Sequence, residues 1–142
     1  EKTNMRRTVL VMAALLGVAA CASAPENDMS DLMSFMGAVS PAESARVAAR
    51  LADKPLGSAQ NPVRANMPAG QRAYLSRLRC ANGRAPTFDR IGSMGAGPYG
   101  SIIDAYSVIC VGSSPADSLV HMDMYHAAHV EAAAVPGFTI VP

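Results

Sequence analysis

The most strand-like stretch of this chain is IIDAYSVICV, residues 102–111. It is rich in β-branched and aromatic residues, which favour extended backbone. Side chains alternate between the two faces of a strand, and here Tyr106 and Val108 lie on the face opposite that of Ile103 and Ile109. Because both faces are largely apolar, the sequence predicts a strand that is central in its sheet.

The segments around this strand predict a small antiparallel sheet. Residues 112–117 (GSSPAD) are typical of a turn, and residues 119–125 have the character of an antiparallel partner that follows it. Shorter strands are predicted at residues 63–67, 87–91 and 138–141.

Helical signals precede the sheet. Residues 40–43 (SPAE) form a capping box with proline at the first helical position, and Lys54-Pro55 ends the helix that it opens. The residues expected to face inward on this helix are Ala45, Val47, Ala48 and Leu51. A second helix is predicted from Pro68 through Leu78, ending near Asn82-Gly83, and methionine and leucine at helical spacing in residues 29–36 indicate a third. The sequence therefore predicts an α+β fold, a small antiparallel sheet with two or three helices.

The amino-terminal part carries a targeting pattern. Met5 is followed by two arginines, by an apolar run, and then by Val-Ala-Ala-Cys at residues 18–21. This ending resembles the lipobox of bacterial lipoproteins, and the resemblance implies that Cys21 is the first mature residue, acylated on its sulfur and its amine. The alternatives are an ordinary signal peptide that ends at residues 22–24, or a membrane anchor. The apolar run has 12 residues, whereas a spanning helix needs about 20.

The same resemblance divides the chain and suggests its location. It implies a lipoprotein signal peptide at residues 5–20 and a lipidated tether at 21–30, with residues 1–4 as an upstream extension, and the patterns described above add a helical segment at 31–57 and a small α+β domain at 58–142. In Gram-negative lipoproteins an aspartate after the cysteine is the familiar signal for inner-membrane retention. The residue here is Ala22, which by analogy implies outer-membrane delivery. We therefore expect a protein held by its lipid on the periplasmic face of the outer membrane.

Two further cysteines, Cys80 and Cys110, belong to the part of the chain after the lipobox. An even pair in an oxidising compartment predicts one disulfide. On the chain-entropy model such a cross-link stabilises the fold by about 3–4 kcal/mol. A free reactive thiol or a metal-binding pair is the alternative, and neither cysteine lies in a Cys-x-x-Cys motif.

Charge is segregated along the chain. From Arg46 to Arg90 the net charge is +7, whereas residues 91–142 contain no lysine or arginine and carry −4. A basic region of this kind is typical of a protein that binds an anionic surface, although it can also neutralise acidic elements of the same fold. The residues proposed to contact another envelope protein or an anionic envelope polymer are Arg64, Arg72, Arg77 and Arg79. Nucleic acid is not an expected partner, because the implied location excludes it.

All three histidines lie in residues 121–131, together with two methionines and two acidic residues. Imidazole, thioether and carboxylate groups are ligands for copper and zinc. A helix would place Met122, His126 and His129 on one face, whereas a strand would split the histidines between two faces. The candidate ligands for Cu or Zn are therefore His121, Met122, His126 and His129. The alternative is that the methionines belong to the core and the histidines to the surface or to caps.

The sequence predicts no catalytic residue. Residues 95–100 (GAGPYG) match Gly-x-Gly-x-x-Gly, but a dinucleotide site needs a helix after this motif, and a predicted strand follows here. Ser101 or Ser107, with His121 and Asp104, would supply a Ser–His–Asp set, but such sets arise by chance in any small domain. Asp104 and Asp123 would supply a carboxylate pair only if they faced each other across a hairpin.

These patterns together favour a lipid-anchored protein of the cell envelope with a non-catalytic binding or structural role. We do not expect an enzyme. The alternative hypothesis is a periplasmic copper- or zinc-binding protein that uses the histidine segment, and no other cofactor is expected.

Overall fold

A computed structural model of the chain describes residues 37–142. The predicted signal peptide, Cys21, the tether and the methionine-rich residues 29–36 lie outside these residues. The elements in chain order are α1 (Pro41–Arg50), β1 (Val63–Arg64), α2 (Met67–Arg77), β2 (Leu78–Arg79), β3 (Thr87–Ala96), β4 (Ile102–Ile109), β5 (Asp117–Asp123) and β6 (Thr139–Ile140). Within residues 37–142, no helix has the length and apolar character needed to cross a membrane.

The main sheet has four strands in the order β1-β5-β4-β3. The strand β4 pairs antiparallel with both β3 and β5, whereas the two-residue β1 runs parallel to β5. A second, two-stranded sheet pairs β2 with β6 in antiparallel fashion. The predicted α+β fold with a mainly antiparallel sheet is confirmed, and the predicted central strand has a partner on each side.

The strand register assigns residues to the two faces of the main sheet, because directly opposed residues point to the same face. Asp104 lies opposite Met122, whereas Asp123 lies opposite Ile103. The two aspartates therefore point to opposite faces. They do not form the carboxylate pair that glycan cleavage would require.

One hydrophobic core joins the sheet to α2. Its completely buried members, with no exposed surface, are Val63, Leu75, Leu78, Val108 and Met122. Cys80 and Cys110 lie in the same core and form a disulfide with a Cα–Cα distance of 5.8 Å. The disulfide predicted from the sequence is confirmed, and it ties the end of β2 to the end of β4.

The helix α1 begins as the capping box predicts. The hydroxyl of Ser40 accepts a hydrogen bond from the backbone N–H of Glu43 at 3.2 Å. The inward face is rotated from the one predicted: Ser44 and Val47 are buried, whereas Ala45 is exposed. The prediction that Ala45 faces inward was wrong, because the face was chosen by hydrophobicity and the buried serine has polar partners.

The glycine-rich segment before β4 belongs partly to a strand. β3 continues to Ala96, with irregularities in its register at residues 90–92 and 93–96. The backbone then turns, and Gly97 N–H donates to the carbonyl of Ser101 at 2.7 Å. A Cβ atom on Gly97 would overlap Cγ2 of Ile103, so this glycine is required for close packing of the turn on β4.

Candidate functional site

A buried polar cluster lies where α1 meets the chain after β5. We call it the His126 cluster, and its members are Ser44, Arg64, Ser101, Asp123 and His126. The exposed fraction of the residue is 5% for Ser44, 0% for Asp123 and 2% for His126. Because buried polar groups are costly unless they are paired, this cluster marks a place where the fold assembles polar chemistry.

Several backbone contacts bring these residues together. Arg64 in β1 lies beside Asp123, the last residue of β5, in the parallel ladder. The N–H of Val39, just before α1, donates to the carbonyl of Tyr125 at 2.9 Å, and this contact holds the start of α1 against the turn after β5. The N–H of His126 donates to the carbonyl of Ala65 at 3.2 Å. Segments distant in sequence therefore converge on one point.

Asp123 organises one end of the cluster. Its Oδ2 accepts a short hydrogen bond from the Ser101 hydroxyl, and its Oδ1 accepts one from the N–H of Tyr125 at 3.0 Å. The Nε2 atom of His126 lies 3.4 Å from the same Oδ2. No arginine or lysine among residues 37–142 forms an ion pair with this carboxylate.

His126 connects Asp123 to Ser44. Its Nδ1 lies 2.9 Å from Ser44 Oγ, and Arg64 Nη1 donates to that same oxygen at 3.2 Å. Oγ can accept from Arg64 and donate its own proton to Nδ1. In that arrangement Nε2 carries the proton of the neutral ring and faces Asp123. This Nε2 is buried and has no well-aligned hydrogen bond within the described part of the chain.

Glu131 lies next to the cluster and binds the backbone of the residues that follow it in the chain. Its Oε2 is 3.7 Å from Arg64 Nη2 and 3.2 Å from His129 Nε2. Its Oε1 accepts from the backbone N–H groups of Ala132 and Ala133 at 3.1 and 3.2 Å. Burial lowers the pKa of His129, and the hydrogen bond to Glu131 opposes this effect only in part, so His129 is mainly neutral near pH 7.

Two concave regions adjoin Arg64 and Glu131. The first, which we call the Tyr99 pocket, has a volume of about 500 Å³, and Ala48, Lys54, Leu56, Arg64, Tyr99 and Glu131 are in its wall. The edge of the Tyr99 ring packs on His126, with 4.6 Å between ring centroids. The second, which we call the Arg77 groove, has about 360 Å³ and lies between α2 and residues 129–131. Arg64 and Glu131 contribute to both.

The four arginines predicted to form one basic surface are divided in the structure. Arg64 and Arg77 both line the Arg77 groove. Arg72 is exposed and lines a separate pocket together with Arg90. Arg79 donates to the backbone carbonyls of Ser76 and Leu78 at 3.0 and 2.7 Å, and these bonds cover the end of α2.

The predicted metal ligands are only partly brought together. His121 Nδ1 lies 3.3 Å from the carbonyl of Gly57, and Met122 is completely buried on the opposite face of the sheet. His126 and His129 are neighbours, with 6.5 Å between ring centroids. Over residues 37–142, no three His, Cys, Asp or Glu side chains are grouped to hold a metal ion. The Cu or Zn site stays a prediction.

A second polar cluster lies on the other face of the sheet. We call it the Asp104 cluster, and its members are Gln71, Arg90, Ser93, Asp104 and Tyr106. Asp104 Oδ1 accepts from Arg90 at 2.7 Å and from Ser93 at 3.2 Å, and its Oδ2 accepts from Gln71 Nε2 at 3.3 Å. Burial raises the pKa of Asp104, but the hydrogen bonds from Arg90 and Gln71 outweigh it, so the pKa is lowered overall.

Sequence reasoning missed Ser44, Tyr99 and the pairing of His126 with Asp123. The available signal for Ser44 was its place three residues before Val47, on the inward side of a well-capped helix. No family model, curated protein or solved structure matches this chain. Function is therefore inferred from the arrangement of the side chains.

Proposed function

We propose that this chain is an envelope lipoprotein, anchored through Cys21, whose folded body binds an anionic envelope polymer in the Arg77 groove. The observation that carries the proposal is the placement of two guanidinium groups, those of Arg64 and Arg77, in one groove of about 360 Å³. Guanidinium groups recognise phosphate and carboxylate with directed, charge-assisted hydrogen bonds.

The charges of the groove favour an anionic ligand. Arg77 Nη2 donates to the backbone carbonyl of Glu131, and its charge has no carboxylate partner among residues 37–142. Arg64 is balanced by the Glu131 carboxylate at 3.7 Å. With His129 neutral, the groove therefore carries a net charge of +1, and all of it resides on Arg77.

The shape of the groove suits an extended chain. Its α2 side is made of the small residues Ala69, Gly70 and Ala73, which let a ligand approach the helix closely. On the other side Val130 is 74% exposed and offers an apolar contact. The small residues of α2 and the Arg77 guanidinium together suit a polymer of sugars and phosphates.

The experiment is a binding titration of the full chain with lipopolysaccharide. We expect Arg77→Gln to weaken binding by about tenfold or more, the value of one charged hydrogen-bonding contact. Arg72→Gln is the matched control, because it makes the same change on the same helix outside the groove, and it should change binding less than about twofold. Thermal unfolding should show that both variants remain folded.

Equal weakening by the two substitutions would contradict the groove and indicate diffuse surface charge. Absence of lipopolysaccharide binding by the unaltered chain would contradict the ligand class. The anchor is tested separately by mass spectrometry of the chain made in a Gram-negative host. Acyl masses on Cys21 and their loss in Cys21→Ser are expected, and an unmodified Cys21 would reject the anchor.

A further inference from the structure

Binding in the Arg77 groove makes no use of Ser44, His126 and Asp123, which lie in series. Ser44 Oγ lies 2.9 Å from His126 Nδ1, and His126 Nε2 lies 3.4 Å from Asp123 Oδ2. A hydroxyl, an imidazole and a carboxylate in this order are the groups of a Ser–His–Asp triad. Such triads are recognised by geometry and roles, not by position in the chain.

The roles of the two imidazole nitrogens are consistent along the series. Arg64 donates to Ser44 Oγ, which leaves the serine proton free to point to Nδ1, and Nε2 faces Asp123 without a well-aligned hydrogen bond. Nδ1 is therefore the base toward the serine, and Asp123 stabilises the imidazolium that forms when Nδ1 takes the proton. The 3.4 Å gap at Nε2 is the kind of loose contact that shortens when the ring becomes charged.

Arg64 supplies a positive charge beside the hydroxyl oxygen. Its Nη1 is 3.2 Å from Ser44 Oγ, and its guanidinium also lines the Tyr99 pocket. A fixed cation at this position stabilises negative charge that develops on an oxygen next to Oγ. Its Nη2 lies 3.7 Å from Glu131 Oε2, which keeps the guanidinium near the pocket.

The Tyr99 pocket lies next to the hydroxyl. Ala48, one helical turn after Ser44 on the same face of α1, is in its wall, as are Arg64 and Tyr99, the contacts of Ser44 and His126. Much of the remaining wall is small or apolar, including Ala52, Leu56, Ala134 and Pro136. Ser44 itself is not in this wall, so a substrate in the pocket would meet Oγ only if the Arg64 side chain turned from the serine toward the substrate's carbonyl oxygen.

We propose that Ser44 is the nucleophile of a carboxylic-ester hydrolase, with His126 as general base and acid and Asp123 as the positioning residue. Ser44 Oγ bonds to the ester carbon while its proton moves to His126 Nδ1. The bond from that carbon to the alcohol oxygen breaks, and the alcohol leaves with the proton from Nδ1. Water then attacks the acyl carbon, gives one proton to Nδ1, and releases the acid as the proton returns to Oγ. This role departs from the non-catalytic one expected from the sequence.

The experiment treats the full chain with a fluorophosphonate, which phosphonylates activated serines with loss of fluoride, followed by peptide mass spectrometry. We expect one adduct, on Ser44, and loss of labelling in Ser44→Ala. Hydrolysis of a p-nitrophenyl ester should fall by at least about 100-fold in the same variant. Ser76→Ala, which changes an exposed serine on α2, is the control and should change neither measurement.

Asp123→Asn tests the positioning role through the kinetic constants. It should lower kcat by at least about tenfold and leave KM for the ester unchanged, because it alters the orientation of the imidazole and not the pocket. A parallel loss of kcat and thermal stability, with KM raised, would indicate a merely structural residue.

Absence of an adduct on Ser44 in the unaltered chain would overturn the proposal, and so would labelling of another serine. This outcome does not depend on the folding of any variant. The failure is distinguishable from failure of the proposed binding function, because the fluorophosphonate is uncharged and the lipopolysaccharide titration reports on Arg77. Either result can be negative while the other is positive.

Discussion

The two polar clusters of this protein each contain a buried aspartate, but the groups that bind the two aspartates differ. Each has a nearly fully buried aspartate of the same sheet at its centre, Asp123 on one face and Asp104 on the other. Asp104 receives the guanidinium of Arg90 at 2.7 Å, whereas the arginine nearest to Asp123 in the ladder donates to Ser44 instead. Asp104 is thus neutralised by a cation, and Asp123 is held by neutral donors.

This difference indicates what each cluster is for. In the Asp104 cluster the polar side chains satisfy one another, because Tyr106 donates to Gln71 and Gln71 donates to Asp104. We call it the closed cluster, and we call the His126 cluster the open cluster. In the His126 cluster one imidazole nitrogen is buried without a well-aligned hydrogen bond. Buried polar groups are nearly always satisfied, and the exceptions concentrate where function requires them. The closed cluster therefore stabilises the fold, and the open one contains the groups proposed above for chemistry.

The largest expected effect is that of removing the carboxylate of the open cluster. Asp123→Ala leaves the Ser101 hydroxyl and the Tyr125 N–H without their acceptor and removes the carboxylate beside His126. We expect a loss of about 3 kcal/mol in the free energy of unfolding, measured by urea denaturation. Asp117→Ala, at the exposed start of the same strand, should cost less than about 0.5 kcal/mol. A loss below about 1 kcal/mol for Asp123→Ala would show that water replaces the carboxylate.

A smaller effect is expected for the same substitution in the closed cluster. In Asp104→Ala the Arg90 side chain, which is 48% exposed, regains water, so only Gln71 is left poorly paired. We expect a loss of about 2 kcal/mol. Asp89→Ala, an exposed position on β3, is the matched control. If Asp104→Ala proved more costly than Asp123→Ala, the assignment of the two clusters as closed and open would be reversed.

Local patterns were enough to predict most of the fold. The capping box located the start of α1, and the β-branched residues of β4 predicted a central strand, because both signals act within a few residues of sequence. The strands β2 and β6 are two residues each, and β6 was placed at about its position while β2 was missed. β2 continues directly from α2 after Arg77, so no turn signal separates them.

The candidate site was harder to predict because its contacts are distant in sequence. Ser44 and His126 are 82 residues apart, and no periodic pattern relates them. The sequence pattern predicts His126 and His129 as metal ligands and offers Asp123 a place in a carboxylate pair with Asp104, but it does not relate Asp123 to Ser44. Which face a strand residue occupies depends on the register, and the register is set by the partner strands.

The closed cluster should also make the stability of the fold sensitive to acid. The pKa of Asp104 is lowered by its hydrogen bonds from Arg90 and Gln71, so the folded state resists protonation at this site. The stabilisation is present above about pH 3.9, the usual value for an unfolded aspartate, and is lost as the pH falls through the lower folded value. Asp104→Asn should flatten this part of a plot of unfolding free energy against pH. An unchanged slope would show that Asp104 does not titrate separately from other carboxyl groups.

The smallest expected effect concerns His129, which lies next to the open cluster, and it occurs at a higher pH than the effect of Asp104. Burial lowers the pKa of His129, so the unfolded chain binds a proton here more readily than the folded chain does. The free energy of unfolding should therefore decrease as the pH falls below about 6.5, the usual value for histidine. His129→Gln should remove this decrease and leave the acid response of Asp104 intact, as followed by urea denaturation between pH 5 and 8 in matched buffers. Retention of the decrease in His129→Gln would show that His129 is not its source.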